Sequence, residues 1–432
     1  MMPTGRLERP CAPEAPPCGE SVSKECKMEK LKSSEHDFSS KLRQSSTIRR
    51  LKEYISWQRN LKADPKGQML PNSGPISINL DLTSTCNFLC PHCVDSMIIN
   101  TGEYMKLEDI KKTIDVLQAK GLLSVILVGG GEPTLHRDFG EVVRYLKRKG
   151  VQIGIVTNGS RLDRIAEVAH LLRERDWIRI SIDAARKETF RNLHRPKIEL
   201  SLDRILAGAT KIKEINPDVS LGYSFVIVWE GIENNGKKLS PNIDEMAESV
   251  KLAREYSFDY VSFKPCLIRL EDTKRESLLD KVDKKKEEEI IEGIKINLQK
   301  AKDAAEGKMK ILESVNLKAM LNQETERIKR QPRRCHMQFF RTVVTATGVF
   351  HCPAFRGIEK ARIAERDGYS TKAKFDGSLK STAKSILTFN AKEECQVVGC
   401  FYNDTNWWLE NFIHSKKDTN ELEKVEDNNF FL

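Results

Sequence analysis

From residue 75 onward, short apolar runs alternate with amphipathic segments, and this rhythm limits the fold more than any other feature of the sequence. The first run, PISINLDLT, has an apolar residue at every second position from Ile76 to Leu82, which is typical of a strand. The next segment, LEDIKKTIDVLQAKG, has apolar residues at helical spacing and ends at Gly121. Five further strand-like runs, separated by helix-like segments, follow up to residue 265.

Six strands that alternate with helices predict a parallel sheet with right-handed crossovers. Six β/α units are too few for the closed eightfold barrel. The predicted fold class is therefore α/β, a partial (β/α)6 TIM-like barrel followed by a smaller C-terminal domain. In barrels of this kind the chemistry takes place at the C-terminal ends of the strands.

The composition of the flanking regions predicts how the rest of the chain is organised. The N-terminal region is polar and rich in Pro, Ser, Lys and Glu, which indicates disorder. We expect a disordered tail at residues 1–45, a helix and linker at 46–74, and the barrel at 75–270. A helical connection at 271–332 should lead to a second domain at 333–415, followed by a polar tail at 416–432. Within the second domain, residues 340–357 are expected to form a hairpin.

The composition as a whole predicts a cytoplasmic protein. The chain is 39% hydrophobic and 31% charged, has no apolar run of a length that spans a membrane, and lacks the apolar block of a secretory signal. Its net charge of +10 is spread among neighbouring acids, with no basic stripe interleaved with aromatic residues. We therefore expect no membrane and no nucleic-acid partner. In this compartment cysteines favour metal binding or catalysis over disulfides.

Three cysteines directly follow the first predicted strand, in the stretch TSTCNFLCPHCVDS. Cys86, Cys90 and Cys93 lie four and then three residues apart. A zinc site could use them together with His92 or a distant ligand. However, close and unequal spacing suits the corners of a cubane iron–sulfur cluster better, and three protein ligands leave one iron open.

This C-x-x-x-C-x-x-C motif, placed after the first strand of a partial barrel, resembles the radical S-adenosylmethionine (SAM) superfamily. The resemblance implies a 4Fe–4S cluster whose open iron binds the amino and carboxylate groups of SAM. It also implies a one-electron donor such as flavodoxin or ferredoxin, reductive cleavage of SAM to a 5′-deoxyadenosyl radical, and abstraction of a substrate hydrogen atom. His92 occupies the position where the family places an aromatic residue near the adenine.

A glycine-rich motif, VGGGEPTL, directly follows the second predicted strand. Glycines at a strand end allow a tight turn or a close approach of the backbone to a ligand. The motif resembles the family's GGE sequence, whose backbone contacts the SAM amino group. The resemblance therefore implies a SAM-binding role for Gly130, Gly131 and Glu132.

Weaker matches follow the third and fourth predicted strands. TNGS, with Asn158, resembles the family's segment near SAM and substrate, and SIDA, with Ser181 and Asp183, resembles the segment that reaches the ribose or methionine part of SAM. In LHRP, Arg195 could pair with a carboxylate of the ligand. Ordinary strand-to-helix capping is the alternative for these segments.

Four more cysteines, Cys335, Cys352, Cys395 and Cys400, lie in the second domain. Their pattern resembles the twitch domain, a shortened form of the auxiliary-cluster SPASM domain. The resemblance implies a smaller C-terminal iron–sulfur domain with a second, auxiliary 4Fe–4S cluster that is fully ligated. A structural zinc held by the same cysteines is the alternative.

Cys266 directly follows the last predicted barrel strand and leaves three interpretations open. It could be a small buried core residue, a spare ligand for the auxiliary cluster, or the thiol hydrogen-atom donor of a radical epimerase.

The predicted function is a radical SAM oxidoreductase that oxidises a small or carbohydrate-like substrate, with the auxiliary cluster as electron acceptor. Epimerisation with Cys266, maturation of a peptide substrate and a non-enzymatic metal-binding scaffold are the alternatives.

Overall fold

The computed structural model describes residues 37–63, 69–234, 236–270, 276–278 and 283–426. A ten-stranded sheet dominates it, with the strand order β7-β6-β5-β4-β3-β2-β1-β8-β9-β10. The strands are β1 (Ser77–Leu80), β2 (Ser124–Leu127), β3 (Gln152–Thr157), β4 (Trp177–Ser181), β5 (Ser220–Ile227), β6 (Tyr260–Pro265), β7 (Lys310–Glu313), β8 (Arg341–Thr345), β9 (Gly348–Phe350) and β10 (Arg362–Ala364).

Helices connect these strands and cover the sheet. They are α1 (Phe38–Leu42), α2 (Ile48–Arg59), α3 (Leu107–Ala119), α4 (Phe139–Arg148), α5 (Leu162–Ala169), α6 (Lys187–His194), α7 (Leu202–Ile215), α8 (Met246–Glu255), α9 (Lys284–Ala304), α10 (Val315–Leu321), α11 (Thr325–Lys329), α12 (Met337–Phe340), α13 (Lys372–Thr388), α14 (Ala391–Glu394) and α15 (Asn403–His414). In the described parts of the chain, none of them combines the length and the apolar surface that a membrane crossing needs.

The six strands β1 to β6 are mutually parallel and alternate with helices, which confirms the predicted partial (β/α)6 barrel. One face of the sheet packs on the helices through fully buried residues such as Ile78, Ile153 and Phe225. Because successive side chains point to opposite faces, the alternate residues line the barrel interior. All the strands therefore end at one edge, where the connecting loops form the candidate site.

The interior face is shaped by large rings that lie over glycines on neighbouring strands. A Cβ atom on Gly154 would lie 2.2 Å from the Trp177 ring, and one on Gly222 would lie 2.1 Å from the Tyr260 ring. Both rings are buried. The absence of a side chain at these two glycines therefore makes the space that the rings occupy.

The C-terminal domain continues the barrel sheet. β8 lies parallel to β1, and β9 and β10 follow in antiparallel order, so a hairpin does lie within residues 340–357. The backbone N–H of Asp81 donates to Val344 O at 2.9 Å, just beyond the end of β1. The C-terminal ends of β1 and β8 thus meet at the edge where the candidate site lies.

The opposite edge of the barrel is extended by β7, which lies parallel to β6. This strand falls within residues 271–332, for which the composition predicts helices only. β7 is a four-residue edge strand in which only Ile311 and Leu312 are apolar, so its pairing comes from the neighbouring strand rather than from its own periodicity.

The described part of the N-terminal region packs against the C-terminal domain. Residues 37–45, which the composition assigns to a disordered tail, contain α1, and Phe38 is buried with its ring centroid 4.7 Å from that of Tyr402. In α2, Tyr54 is fully buried and its hydroxyl lies 2.7 Å from His336 Nδ1. The aromatic partners lie more than 280 positions away, which explains why local composition predicts a tail there. The N-terminal region also contains three cysteines at irregular spacing, Cys11, Cys18 and Cys26, and these lie outside the described residues.

Candidate active site

The loop between β1 and α3 holds Cys86, Cys90 and Cys93, all partly exposed. Two hydrogen bonds join the two ends of this loop: Asn100 N donates to Ser84 O at 2.6 Å, and Cys86 N donates to Asn100 Oδ1 at 2.9 Å. Burial raises the pKa of the Cys90 thiol, and the charges of Cys93 and Cys86 raise it further. The three sulfurs are thus close enough to interact, and as thiolates they would gain from a bound cationic cluster.

Two histidines and one carboxylate pack beside these sulfurs. His92 Nε2 lies 3.2 Å from Asp183 Oδ2, and His194 Nδ1 lies 3.3 Å from Cys90 Sγ. Burial opposes ionisation of Asp183, but the hydrogen bond from His92 and the charges of both histidines outweigh it and keep the pKa of Asp183 below its usual value. His92 Nδ1 is buried without a protein partner, so it is available to a ligand.

His194 is a site residue that the sequence analysis missed. Burial lowers its pKa to about 4, so the ring is neutral at pH 7, and its Nε2 donates to Ile182 O at 2.8 Å. The signal available in the sequence is the LHRP motif, which contains His194 but points to Arg195 as the charged side chain. The structure does not bring the Arg195 guanidinium into the site: Arg195 caps α6 with φ of 45°, and its Nε donates to Asn192 O at 3.3 Å within the same helix.

The glycine loop after β2 packs directly on the cysteine loop. A Cβ atom on Gly131 would lie 2.3 Å from Thr85 O, and the next residue, Glu132, donates its N–H to that same oxygen at 2.8 Å. Gly130 N donates to Asp81 Oδ2 at 3.1 Å. Gly131 is therefore required by the close approach of the two loops.

The Glu132 carboxylate is buried and fully engaged by protein donors. It accepts hydrogen bonds from the hydroxyls of Thr134 at 2.6 Å and Thr157 at 2.7 Å, and from the backbone N–H of Asn158 at 2.7 Å and of Thr134 at 3.1 Å. This carboxylate ties the glycine loop to the end of β3. A ligand would therefore bind to the backbone of the motif and not to the Glu132 carboxylate.

The third and fourth strand ends meet the same site. Asn158 Nδ2 donates to Asn87 Oδ1 in the cysteine loop at 2.9 Å, and the Asn158 side chain also hydrogen-bonds Cys86. Ser181, the last residue of β4, is half-buried and paired in register with Ser224 of β5. Asn158 and Asp183 thus contact the cysteine loop. Ser181 lies within the sheet, in the last residue pair that joins β4 to β5.

Cys266 is completely buried directly after β6. Its Sγ lies 3.7 Å from Leu267 O, and burial, with a smaller contribution from the charge of Asp183, raises its pKa to about 12. The thiol is therefore protonated at neutral pH. It packs in the barrel core, whereas Cys335, Cys352 and Cys395 pack on a separate apolar cluster, which argues against Cys266 as a spare ligand in the C-terminal domain.

The four C-terminal cysteines converge on one place. Cys335, Cys352 and Cys395 contact a cluster that contains Phe350, Phe355 and Phe389. Burial raises the pKa of the Cys400 thiol, and the nearby Cys335 and Cys352 raise it further. The Cys335 sulfur accepts a hydrogen bond from Asn406 Nδ2 at 3.6 Å and others from the backbone of Gln338 and Met337. Such N–H donors commonly surround cluster thiolates, so this donor set fits an iron–sulfur cluster.

A cavity of about 310 Å³ lies between the two cysteine-bearing regions. Its lining comes from both domains and includes Asp81, Ser84, Gly130, Thr345 and Thr347. At this junction the Arg356 side chain of the C-terminal domain contacts Asp81 and Asp95, which flank the cysteine loop. The two regions are therefore joined by charged contacts as well as by a shared sheet.

Comparisons with known proteins agree with this geometry. Residues 80–282 match the family model described as the radical SAM superfamily. The chain is 31% identical over 154 residues to an S-adenosylmethionine-dependent nucleotide dehydratase of Selenomonas ruminantium, which covers 35% of this chain and 56% of that protein. It is 35% identical over 116 residues to the mycofactocin maturase MftC of Mycolicibacterium smegmatis, covering 26% and 29% of the two chains. The chain thus spans just over half of the first of these relatives and under a third of the second.

Two solved structures share the fold at low sequence identity. Streptococcus suis SuiB bound to its precursor peptide SuiA superimposes with a TM-score of 0.55 at 13% identity, covering 89% of this chain and 80% of that one. The structure of anSMEcpe with bound AdoMet superimposes with a TM-score of 0.50 at 17% identity, covering 78% and 99%. Residues 80–282, just under half of the chain, thus form a radical SAM domain, and the chain shares its overall fold with these two structures.

Proposed function

We propose that this protein is a radical SAM oxidoreductase that removes a hydrogen atom from its substrate and passes the remaining electron to an auxiliary 4Fe–4S cluster. The observation that carries the proposal is the convergence of Cys335, Cys352, Cys395 and Cys400 in a domain that shares a sheet with the barrel. A fully ligated cluster has no open iron for a substrate, which suits electron transfer.

The first site fits a cluster with three protein ligands. Cys86, Cys90 and Cys93, three partly exposed residues of one loop, would hold it. When bound, the cluster and SAM supply a 5′-deoxyadenosyl radical that takes a hydrogen atom from the substrate. A flavodoxin or ferredoxin would supply the electron that this requires.

The protein's own residues would bind and orient SAM. The backbone of Gly130, Gly131 and Glu132 would hold the SAM amino group, because the Glu132 carboxylate is already engaged by Thr134 and Thr157. His92 would contact the adenine, with its unpartnered Nδ1 facing the ligand and its Nε2 held by Asp183.

Three further residues would complete the first site. Asn158, which bridges to the cysteine loop through Asn87, and Ser181 would contact the remaining polar groups of SAM. The backbone oxygen of Arg195 accepts a hydrogen bond from Leu89 N at 3.2 Å, so this residue would support the cysteine loop rather than pair with a carboxylate. Cys266 has no assigned role in the oxidation.

The spacing of the C-terminal sulfurs favours a cluster over zinc. Four sulfurs bound to one tetrahedral zinc at about 2.3 Å lie about 3.8 Å apart. Across the described ranges, the Cys, His, Asp and Glu ligand atoms that lie in threes within 4.8 Å of one another are those of Cys90, His92 and His194. Within the described ranges no three of the C-terminal sulfurs form such a group, so their arrangement is looser than that of a tetrahedral zinc site.

We propose a small or carbohydrate-like compound as the substrate. The second candidate is a peptide, which is favoured by the fold shared with SuiB bound to its precursor peptide and by the similarity to a protein named a maturase. Either substrate would bind in the cavity that residues of both domains line.

Iron analysis of cysteine variants tests the two-cluster proposal. After anaerobic reconstitution, the wild-type protein is expected to contain about eight irons per chain. Replacing Cys86, Cys90 and Cys93 together by Ala should leave about four, and so should replacing Cys335 and Cys352 by Ala. Zinc bound at one equivalent, together with four irons in the wild-type protein, would refute the auxiliary cluster and the oxidation that depends on it.

A further inference from the structure

One arginine of the C-terminal domain reaches the loops of the first site. Arg356 follows the helical turn Pro353–Phe355, which begins directly after Cys352. Its Nη1 donates to both carboxylate oxygens of Asp95, at 3.0 and 2.8 Å, and its Nε lies 2.8 Å from Asp81 Oδ2. Only 6% of the Arg356 side chain is exposed, so water and salt screen these contacts little.

Each of the two carboxylates belongs to a different part of the proposed SAM site. Asp95 lies two residues after Cys93, and its backbone oxygen accepts hydrogen bonds from Ile98 N at 2.9 Å and Ile99 N at 3.2 Å, which form the turn that ends the cysteine loop. Asp81 uses the oxygen that faces Arg356 to accept the Gly130 N–H at 3.1 Å as well. A single guanidinium therefore links the cysteine loop, the end of β1 and the glycine loop.

The chemistry of this contact requires an arginine. A planar guanidinium presents several N–H donors in a fixed arrangement, so it can serve two carboxylates at once, whereas a lysine ammonium is a single point of charge. Without a cation, the carboxylates of Asp81 and Asp95, which are 6% and 12% exposed, would lie together with no compensating positive charge, which is unfavourable. The two loops would then separate or rearrange.

We propose that Arg356 is a positioning residue for SAM, through which the C-terminal domain sets the spacing between the cysteine loop and the glycine loop. The inference rests on the proposed function, in which SAM lies between these loops. Arg356 acts through Asp95 and Asp81 and does not itself touch the reacting atoms. The C-terminal domain thus completes the first site in addition to carrying its own four cysteines.

The test compares R356K and R356Q with the full-length wild-type protein after anaerobic reconstitution. Three quantities are measured: iron per chain, SAM binding by equilibrium dialysis without reductant, and KM and kcat for the cleavage of SAM in the presence of dithionite. We expect the iron content to be retained, because no cysteine is changed. We expect SAM binding to weaken and KM for SAM to rise about tenfold in R356K and further in R356Q, with a smaller change in kcat.

Two further variants separate positioning from general stability. Lys374, in the same domain, pairs with Asp367 at the surface and does not line the cavity between the domains, so K374Q should bind SAM as the wild type does. If Arg356 acts through Asp95, the double variant R356Q/D95N should raise KM for SAM no further than R356Q alone.

The outcomes distinguish this inference from the proposed function. Wild-type affinity for SAM in both Arg356 variants, whether or not their melting temperatures fall, would overturn the positioning role alone. If R356Q fails to fold, R356K decides the question, because it keeps the charge and loses the second contact. A wild-type protein that neither binds nor cleaves SAM would overturn the proposed function and this inference together.

Discussion

Asp183 and His92 are 91 positions apart in the chain, yet the Asp183 carboxylate lies 3.2 Å from His92 Nε2 and joins the end of β4 to the cysteine loop. The other carboxylate oxygen accepts the Val226 N–H at 2.8 Å. Asp183 has φ of 56°, a left-handed conformation that Asp and Asn adopt more readily than other side chains with a Cβ. The residue therefore combines an unusual backbone conformation with a contact on each side.

Replacement of Asp183 by Asn tests the importance of this contact. Asn tolerates the backbone conformation and keeps an acceptor for Val226, but it removes the charge that holds His92. We expect KM for SAM to rise about tenfold while iron content is unchanged. The exposed Asp244, which pairs with Arg186 at 2.8 Å, provides the matched control D244N. Equal KM values for D183N and D244N would contradict the proposed role.

Replacement of Cys266 by Ala tests whether its thiol takes part in the reaction. Because Cys266 is fully buried and unused in the proposed oxidation, C266A should lose about 1 kcal/mol of unfolding free energy and cleave SAM at a rate within about twofold of the wild type. A second measurement uses candidate substrates in D2O and determines the deuterium content of the product. An oxidation leaves no solvent deuterium on the reacted carbon, whereas donation from the Cys266 thiol would place one there, in the wild type but not in C266A.

Two glycines offer a matched pair for testing how the barrel interior is packed. In G154A the new Cβ would lie 2.2 Å from the Trp177 ring, so we expect a loss of about 1–3 kcal/mol in unfolding free energy. Gly377 lies within α13 with no atom near the position of a Cβ. G377A should therefore stabilise the protein by about 0.5–1 kcal/mol. Chemical denaturation of both variants measures the difference, and a G154A protein as stable as the wild type would show that Trp177 does not pack as described.

The buried histidine His136 predicts one component of the pH dependence of stability. Burial lowers the pKa of His136 below the usual 6.5, and its ring donates to Met105 O at 2.8 Å while accepting the Asp138 N–H at 3.2 Å. The folded state therefore resists the proton that the unfolded chain binds below pH 6.5. The stability that the neutral ring contributes is present above that pH and is lost as the pH falls towards the folded pKa.

Urea denaturation of the wild type and H136Q at about pH 7.5 and about pH 5.5 checks this sign. The wild type should lose more unfolding free energy on acidification than H136Q does, because glutamine binds no proton in either state. Equal losses in the two proteins would show that His136 does not contribute to the pH dependence.

Sequence periodicity was sufficient to predict the barrel, because the alternation within each strand and the helical spacing between strands are local properties. The positions of Cys86 and Gly131 at strand ends followed from the same periodicity. By contrast, β7 has too few apolar residues to be recognised without its partner strand. The structure was needed to detect it.

Long-range contacts were beyond the reach of the sequence. His194 reaches Cys90 across 104 positions, and Arg356 reaches Asp95 across 261, so no local pattern marks either pair. The LHRP motif points to Arg195 as the charged side chain, whereas it is the His194 ring that packs against Cys90. The end of α6 turns the Arg195 side chain back to its own helix while the His194 ring enters the site.

The reaction with SAM tests the proposed function most directly. The wild-type protein and a variant with Cys86, Cys90 and Cys93 replaced by Ala are reconstituted anaerobically, reduced with dithionite and incubated with SAM, and 5′-deoxyadenosine is quantified by chromatography. We expect 5′-deoxyadenosine from the wild type and none above background from the triple variant. Failure of the iron-loaded wild type to form it, or equal formation by the variant, would contradict the assignment of these three cysteines as the SAM-cleaving site.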